Sequence, residues 1–266
     1  MSLKKILELA DTHGFFSPVK ILGQDFVNSF RLGPTGELLA QNIQKEWIYS
    51  CVSSGLPDTV FQHHSPSSHL STAQRLKGAF SSARSLMNGK VPFALIEVRG
   101  VEEGHKETTD DVIPRTRHPL HYAAFVNQKS GQQFFYRWQQ HRHMWWRKFS
   151  MDPGRFSLVE NKDCNVSQVD IRVKFPWGDF TVETVRNHGL DFFGSVENGD
   201  KNGFEVSDNR KKGLPYVVES SCTLEAAMLC YLCDGFSTSG KSQFTLHRRL
   251  APYKVAIAAS AEPTTH

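Results

Sequence analysis

The sequence feature that most constrains the fold is an aromatic-rich stretch, QQFFYRWQQHRHMWWRKF, at residues 132–149. Four of its aromatic residues fall on one stripe at helical spacing: Phe134, Trp138, Trp145 and Phe149. A helix with such a face is stable when that face is buried against other elements. The stretch therefore predicts a core-packed helix that begins near Gln132 and is stopped by Asp152, Pro153 and Gly154.

Three cations accompany these aromatic residues: Arg142, Arg147 and Lys148. They are expected to lie toward other faces of the helix, where they would contact phosphate or be solvated, and the pattern leaves both interpretations open. For the tryptophans, core anchoring is favoured over stacking on nucleic-acid bases. Trp146 falls off the aromatic stripe and needs a neighbour of its own.

The remaining apolar patterns predict further helices and strands without the regular alternation of a parallel α/β sheet. Helices are expected at residues 3–13, 34–52, 76–86 and 223–236, and strands at 91–101, 120–127, 168–175, 180–189, 214–221 and 250–259. Residues 63–72 and 102–119 are predicted to be polar loops, and 194–213 a flexible surface insertion. We therefore expect an α+β fold, with an antiparallel sheet and helices on one side of it.

Composition and net charge exclude only a few classes of function. The 266 residues carry a formal charge of +4, which permits contact with nucleic acid without demanding it. No apolar run approaches the ~20 residues of a membrane-spanning helix, so no membrane partner is expected. The N-terminal residues 1–16 match neither an Arg-rich transit peptide nor a secretory signal.

No spacing pattern specifies an active site or a metal site. The five cysteines are scattered, and Cys230 and Cys233, half of a zinc pattern, lie inside an apolar run that favours buried helix positions. His141 and His143 would point away from each other on a helix. His118 and the other scattered histidines have no acidic residue at ligand spacing. Serine-hydrolase, P-loop and dinucleotide-binding motifs are absent, so no catalytic residue, metal or cofactor is predicted.

Several segments together resemble a known family. LGPTGELLAQNIQKEWIYSCVSSGLP (32–57), VPFALIEVRGVEE (91–103) and LPYVVESSCTLEAAMLCYLCDGF (214–236) resemble the three motifs of class II aminoacyl-tRNA synthetases of the glycyl branch. The pieces WWRKF, FPWG and LAPYKVAIA are most similar to accessory subunits of mitochondrial DNA polymerase, which have the synthetase fold without its activity. The resemblance implies a class II synthetase-like antiparallel sheet flanked by helices.

The resemblance also indicates where the chain departs from an active synthetase. Such enzymes hold ATP with two arginines, one in the second motif and one in the third. In ungapped register the second-motif position is Glu103, and the third-motif position is Ala226, preceded by Glu225. Neither a carboxylate nor a methyl group replaces a bidentate cation at a triphosphate. The resemblance therefore implies a degenerate ATP site and no enzymatic activity.

The function implied by the resemblance is that of a processivity subunit. Its partners would be the catalytic subunit of the mitochondrial DNA polymerase and double-stranded or primer-template DNA, and its location would be mitochondrial. The cations expected to contact phosphate are Arg142, Arg147, Lys148, Arg248 and Arg249. An active or degenerate glycyl-type synthetase, or a tRNA-binding module, are the alternatives.

The resemblance divides the chain into two parts. Residues 1–249 would form the synthetase-like core, and 250–266 would be a stub of an anticodon-binding-like domain. Within the core, residues 57–92 would be a short linker and helical segment in place of a longer insertion. Because that insertion builds the dimer in vertebrate-type accessory subunits, both a monomer and a homodimer stay open.

Overall fold

The computed structural model describes residues 3–18, 30–64, 72–98, 102–103, 116–162, 166–195, 201–208, 211–237 and 242–257. These contain five α-helices: α1 (Leu3–Thr12), α2 (Pro34–Ser53), α3 (Thr72–Leu86), α4 (Gly131–Lys148) and α5 (Leu224–Gly235). Short 3-10 helices occupy Pro153–Arg155, Asp191–Ser195 and Lys201–Phe204. None of the described helices is both long enough and apolar enough to cross a bilayer.

Fifteen strands accompany them in the described residues. They are β1 (Phe16–Pro18), β2 (Phe30–Leu32), β3 (Val60–His63), β4 (Phe93–Val98), β5 (Glu102–Glu103), β6 (Thr116–Arg117), β7 (Pro119–Val126), β8 (Phe156–Asn161), β9 (Ser167–Phe175), β10 (Gly178–Gly189), β11 (Val206–Asp208), β12 (Lys211–Gly213), β13 (Tyr216–Thr223), β14 (Phe236–Ser237) and β15 (Gln243–Phe244).

A seven-stranded sheet in the order β3-β4-β7-β13-β10-β9-β8 is the framework of the molecule. All neighbours pair antiparallel except β3 and β4, which are parallel. The expected α+β architecture with a mainly antiparallel sheet is therefore confirmed. The edge strands β3 and β8 had not been predicted, because each is short and carries polar residues among its few apolar ones.

The two faces of the sheet are covered by different elements. One face packs against α1, α2, α4 and α5 and forms the larger core. Part of the other face packs against α3 and the 3-10 helices Asp191–Ser195 and Lys201–Phe204, with Phe80, Phe193 and Phe204 fully buried. The prediction of helices on one side only was therefore wrong. The described residues of the segment 57–92, in β3 and α3, are an integral part of this packing.

Close backbone contact explains the Gly-Pro-Thr-Gly sequence at the start of α2. Pro34 occupies the first helical turn, where no N–H is needed. The amide N–H groups of Gly33 and Gly36 donate to Phe15 O and Gly14 O, both at 3.1 Å. A Cβ on Gly36 would lie 1.8 Å from Phe15 O, so only glycine permits this approach.

Two other predictions were wrong in the described residues. Residues 250–257 of the expected strand 250–259 do not form a strand, and 258–266 lie outside the described part. Instead, Lys254 Nζ donates to the carbonyls of Arg248, Arg249 and Ala251 and holds a turn. The described part of 194–213 is also not a loose insertion, since Phe204 is fully buried in the core that α3 covers.

Candidate nucleic-acid interface

The aromatic face of α4 is the anchor of the larger core, as the sequence predicted. Trp138, Trp145 and Trp146 are all buried. Trp138 stacks on Tyr122 of β7 at a centroid distance of 3.8 Å, and its Nε1 donates to Ser220 Oγ at 3.1 Å. Because these rings are enclosed by the protein, they do not stack on nucleic-acid bases.

Arg142 corrects the predicted set of phosphate-binding cations. Its side chain is fully buried, and Nε and Nη2 donate to the Glu183 carboxylate of β10 at 2.8 and 3.0 Å. Trp146 Nε1 donates to the same carboxylate at 2.6 Å, which supplies the neighbour that this tryptophan needed. Arg142 therefore contacts no phosphate, because its charge is neutralised inside the protein.

Burial and the ion pair act in opposite directions on Arg142. Burial lowers the pKa of its guanidinium, but the adjacent Glu183 carboxylate outweighs burial and the pKa is raised overall.

The described cysteines are buried thiols. Burial raises the pKa of the Cys51 thiol, which lies near Arg142, to about 12. Cys230 and Cys233 are buried in α5, which confirms the structural interpretation of that pair. Cys164 lies outside the described residues.

The other four predicted cations are exposed, and three of them come together. His247 packs edge-on against Phe149 at 5.2 Å, and Lys148 Nζ lies 5.1 Å from the Phe149 ring. Partial burial lowers the pKa of His247, and so do the charges of Arg248, Arg249 and Lys148 around it. We call Lys148, His247, Arg248 and Arg249 the basic corner. Arg147, which precedes Lys148 on α4, is also exposed, and its Nε donates to Pro153 O at 3.2 Å.

The basic corner is held in place by α2. Asn42 Nδ2 donates to Leu250 O and Ala251 O at 3.1 and 3.0 Å, and the Leu250 side chain is fully buried. Arg249 Nη1 also approaches Glu46 Oε2 of α2 at 3.2 Å. That carboxylate partly neutralises Arg249, which leaves Lys148 and Arg248 as the freer charges of the corner.

The positions expected to have lost the ATP-binding arginines differ in their surroundings. Glu225 is buried in the first turn of α5, where its two oxygens accept from the His118 amide at 3.1 and 2.9 Å. His118 Nδ1 lies 2.5 Å from Glu225 Oε1, and this hydrogen bond raises the pKa of His118. The side chain of Glu103 lies outside the described part.

Ala226 lines a small apolar cavity between α1, α5 and the sheet. The cavity has a volume of about 20 Å³ and is also lined by Leu3, Val173, Val182 and Cys230. Such a volume holds roughly one water molecule. Ala226 therefore presents a methyl group to apolar side chains, which offer no charge to a triphosphate.

A polar cluster on the sheet face opposite α4 had not been predicted from the sequence. Glu219 of β13 accepts from His121 Nε2 of β7 at 2.8 Å and from His188 Nε2 of β10 at 2.5 Å. Burial raises the pKa of Glu219, but the two histidine hydrogen bonds outweigh burial and hold the pKa well below its usual value. These partners are far apart in sequence, so only the strand pairing reveals them.

The polar cluster extends to β9, where its side chains hydrogen-bond to one another and to residues of β10. Asp170 Oδ1 accepts from Gln168 Nε2 at 2.9 Å and from Thr184 Oγ1 at 3.1 Å. Arg186 Nε donates to Gln168 Oε1 at 3.0 Å. In the described part of the chain, no three His, Cys, Asp or Glu side chains are grouped as metal ligands.

Comparison with known structures defines the class of protein first. A crystal structure of prolyl-tRNA synthetase from Cryptosporidium parvum, complexed with L-proline and AMP, superposes with a TM-score of 0.63. The match covers 94% of this chain and 56% of that one at 12% identity, so it establishes the fold alone. The fold is therefore class II aminoacyl-tRNA synthetase-like, as the sequence resemblance implied.

Curated relatives narrow the class further. DNA polymerase subunit gamma-2, mitochondrial, from Xenopus laevis is 30% identical over 197 residues, which are 67% of this chain and 42% of the relative. The Mus musculus subunit gamma-2 is 29% identical over 195 residues, with the same two shares. Glycine–tRNA ligase from Borreliella burgdorferi (strain ZS7) is 29% identical over 203 residues, which are 68% of this chain and 45% of the ligase.

The chain is thus a homologue of DNA polymerase subunit gamma-2 and of glycine–tRNA ligases. It spans less than half the length of these curated relatives. No protein-family model matches the chain.

Proposed function

We propose that the chain is a non-catalytic accessory subunit of mitochondrial DNA polymerase, which binds the catalytic subunit and holds it on primer-template DNA. The observation that carries the proposal is the sequence relationship to DNA polymerase subunit gamma-2 over two thirds of the chain. The mitochondrial location named for the Xenopus laevis relative supports the same location for this chain. Subunits of this kind do not catalyse DNA synthesis themselves, so we expect no enzymatic activity of this chain alone.

The basic corner supports DNA binding because its charges come from separate parts of the chain and meet at one exposed place. Lys148 ends α4, whereas Arg248 lies in the segment fixed to α2 by Asn42. Cations that contact DNA phosphates release bound counterions. The resulting affinity does not depend on the DNA sequence, and it falls steeply as the salt concentration rises. Binding of this kind suits the retention of a polymerase on primer-templates of any sequence.

The surroundings of Glu225 and Ala226 support the absence of adenylate chemistry. A carboxylate lies in the first turn of α5, and a methyl group lines a small apolar cavity. Neither can stabilise a triphosphate, and electrostatic stabilisation is usually the largest catalytic contribution. We propose that the ATP-binding arginines of the synthetases are lost at Ala226 and at Glu103.

Primer extension on long templates tests the proposal. The catalytic subunit should make longer products per binding event when this chain is added, and the gain should shrink in the Lys148→Glu/Arg248→Glu variant. Lys90→Glu is the matched control. Lys90 is an exposed cation just before β4 and pairs through its backbone with Ser207. It lies beside the core that α3 covers, on the other side of the sheet from α4. An unchanged product length in the presence of the wild-type chain would refute the accessory role.

Glycine activation is the second candidate function. The glycine–tRNA ligase relatives favour it, and so does Arg186, a cation that lies within the polar cluster beside Gln168. Glycine-dependent exchange between ATP and pyrophosphate measures this activity directly. Exchange that disappears in Arg186→Met and persists in Lys90→Met would favour the ligase over the accessory subunit.

A further inference from the structure

The exposed side of α4 is unusual in the charges that it presents. Seven residues lie within one stripe about a third of the helix circumference wide: Gln133, Tyr136, Arg137, Gln140, Met144, Arg147 and Lys148. We call this the α4 outer stripe. Helix α4 is 18 residues long and contains no Asp or Glu. A solvent-exposed helix normally mixes both signs of charge, so the stripe is suited to an anionic partner.

The three cations of the stripe are not neutralised by neighbouring acids. Within the described residues, no carboxylate lies within ion-pairing distance of Arg137, Arg147 or Lys148. The fourth cation of the helix, Arg142, is buried against Glu183 and contributes nothing outside. At the N-terminal end of the stripe, Asp58 lines a cavity together with Gln133 and Arg137.

The spacing of the cations fits the backbone of a duplex. Arg137 and Lys148 are separated along α4 by about 16 Å at 1.5 Å per residue, which corresponds to roughly five base pairs at 3.4 Å each. Between them, Gln140 offers an amide that donates to phosphate oxygens. Tyr136 is the single aromatic side chain of the stripe, which is too few for the stacking surface that single strands use.

We infer that the sugar-phosphate backbone of duplex DNA runs along the α4 outer stripe, from the basic corner to Arg137. Arg137 and Gln140 then contact phosphates that the corner alone does not reach. Lys148 belongs to both surfaces, so the stripe and the corner form one continuous track. The inference rests on the proposed function, because it concerns the DNA that an accessory subunit would hold.

Salt-dependent binding of the whole chain to a labelled 30-base-pair duplex tests the inference. The variants are Arg137→Met on the stripe, Lys148→Met/Arg248→Met in the corner, and Lys90→Met as the matched control. We expect Arg137→Met to lower affinity about tenfold, as for one charge-assisted hydrogen bond. The slope of log K against log salt, which is negative, should become less steep by about 0.9, the value for one phosphate contact. Gln140→Glu should weaken binding by repulsion without removing a cation.

The outcomes separate the inference from the proposed function. If Arg137→Met and Gln140→Glu both bind like Lys90→Met while the corner variant loses affinity, the track along α4 is wrong and the accessory role stands. If the wild-type chain does not bind duplex at all, the track is wrong and so is the DNA-holding part of the proposed function. Tighter binding to single strands than to duplex would also overturn the inference.

Discussion

Arg142 and Glu183 form a bidentate ion pair in the centre of the larger core, with both side chains fully buried. The guanidinium also lies 4.6 Å from the Trp145 ring, within the range of a cation–π contact. Trp146 donates to the same carboxylate. The pair thus fixes α4 against β10, and the exposed residues of α4 take their positions from this buried contact.

Removing one partner of this pair should strongly destabilise the fold. We expect Arg142→Met to lower the free energy of unfolding by about 3–5 kcal/mol, because it leaves the Glu183 charge buried without its partner. Urea denaturation measures the change. Lys148→Met, on the exposed stripe, should stay within about 0.5 kcal/mol of the wild type.

The double variant Arg142→Met/Glu183→Leu separates the ion pair from simple loss of packing. Replacing both charges with apolar groups should recover much of the lost stability, because the cost arises from an unpaired charge. A double variant as unstable as the single one would contradict this explanation.

An arginine at position 226 should not create a nucleotide site. Ala226→Arg would place a long, charged side chain in a cavity of about 20 Å³ lined by apolar residues. Overpacking and buried charge should together cost about 3 kcal/mol or more, measured by urea denaturation. Ser85→Arg, at an exposed site on α3, is the control and should be nearly neutral. Glycine-dependent pyrophosphate exchange by the Ala226→Arg variant would show that the cavity opens to ATP.

The His118–Glu225 contact should make stability depend on pH. The pKa of His118 is raised in the folded state, chiefly by its hydrogen bond to Glu225. Its stabilising effect is therefore fully present below the unfolded pKa of about 6.5 and is lost as pH rises through the folded value. The difference in Tm between wild type and His118→Gln should be larger at pH 6 than at pH 9.

Glu225→Gln provides the check on that assignment. This variant removes the charge that raises the pKa of His118, so it should abolish most of the same pH dependence. If the Tm difference between wild type and His118→Gln did not change with pH, the contact would carry no linked proton.

Two helix glycines should respond in opposite directions to the same substitution. Gly36→Ala places a Cβ 1.8 Å from Phe15 O, so α2 must move away from the chain that precedes it. Gly78 of α3 has nothing within 4 Å of the added atom. Because alanine is the better helix former, Gly78→Ala should stabilise by about 0.5–1 kcal/mol, whereas Gly36→Ala should lower Tm clearly. A neutral Gly36→Ala would mean that the close approach is not required.

The sequence predicted those elements whose pattern lies within one segment. The stripe of Trp138, Trp145 and Phe149 placed the buried face of α4 correctly. The same spacing contained a signal that was missed, since Arg142 lies four residues after Trp138 and three before Trp145, inside the stripe. Its partner Glu183 could not be found in this way, because it is 41 residues further along the chain.

The polar cluster shows the same limit more strongly. Glu219, His121 and His188 lie on three different strands and meet through the register of the sheet. No local spacing encodes that register. The basic corner was identified residue by residue, whereas its assembly depends on Asn42 holding Leu250 against α2.

The Glu225 carboxylate in the first turn of α5 acts as a built-in counter-ion at the positive end of the helix dipole. Removing it would leave the His118 amide and imidazole without their acceptor, and an arginine at the next residue would crowd a small apolar cavity. The start of α5 should therefore be destabilised by either change.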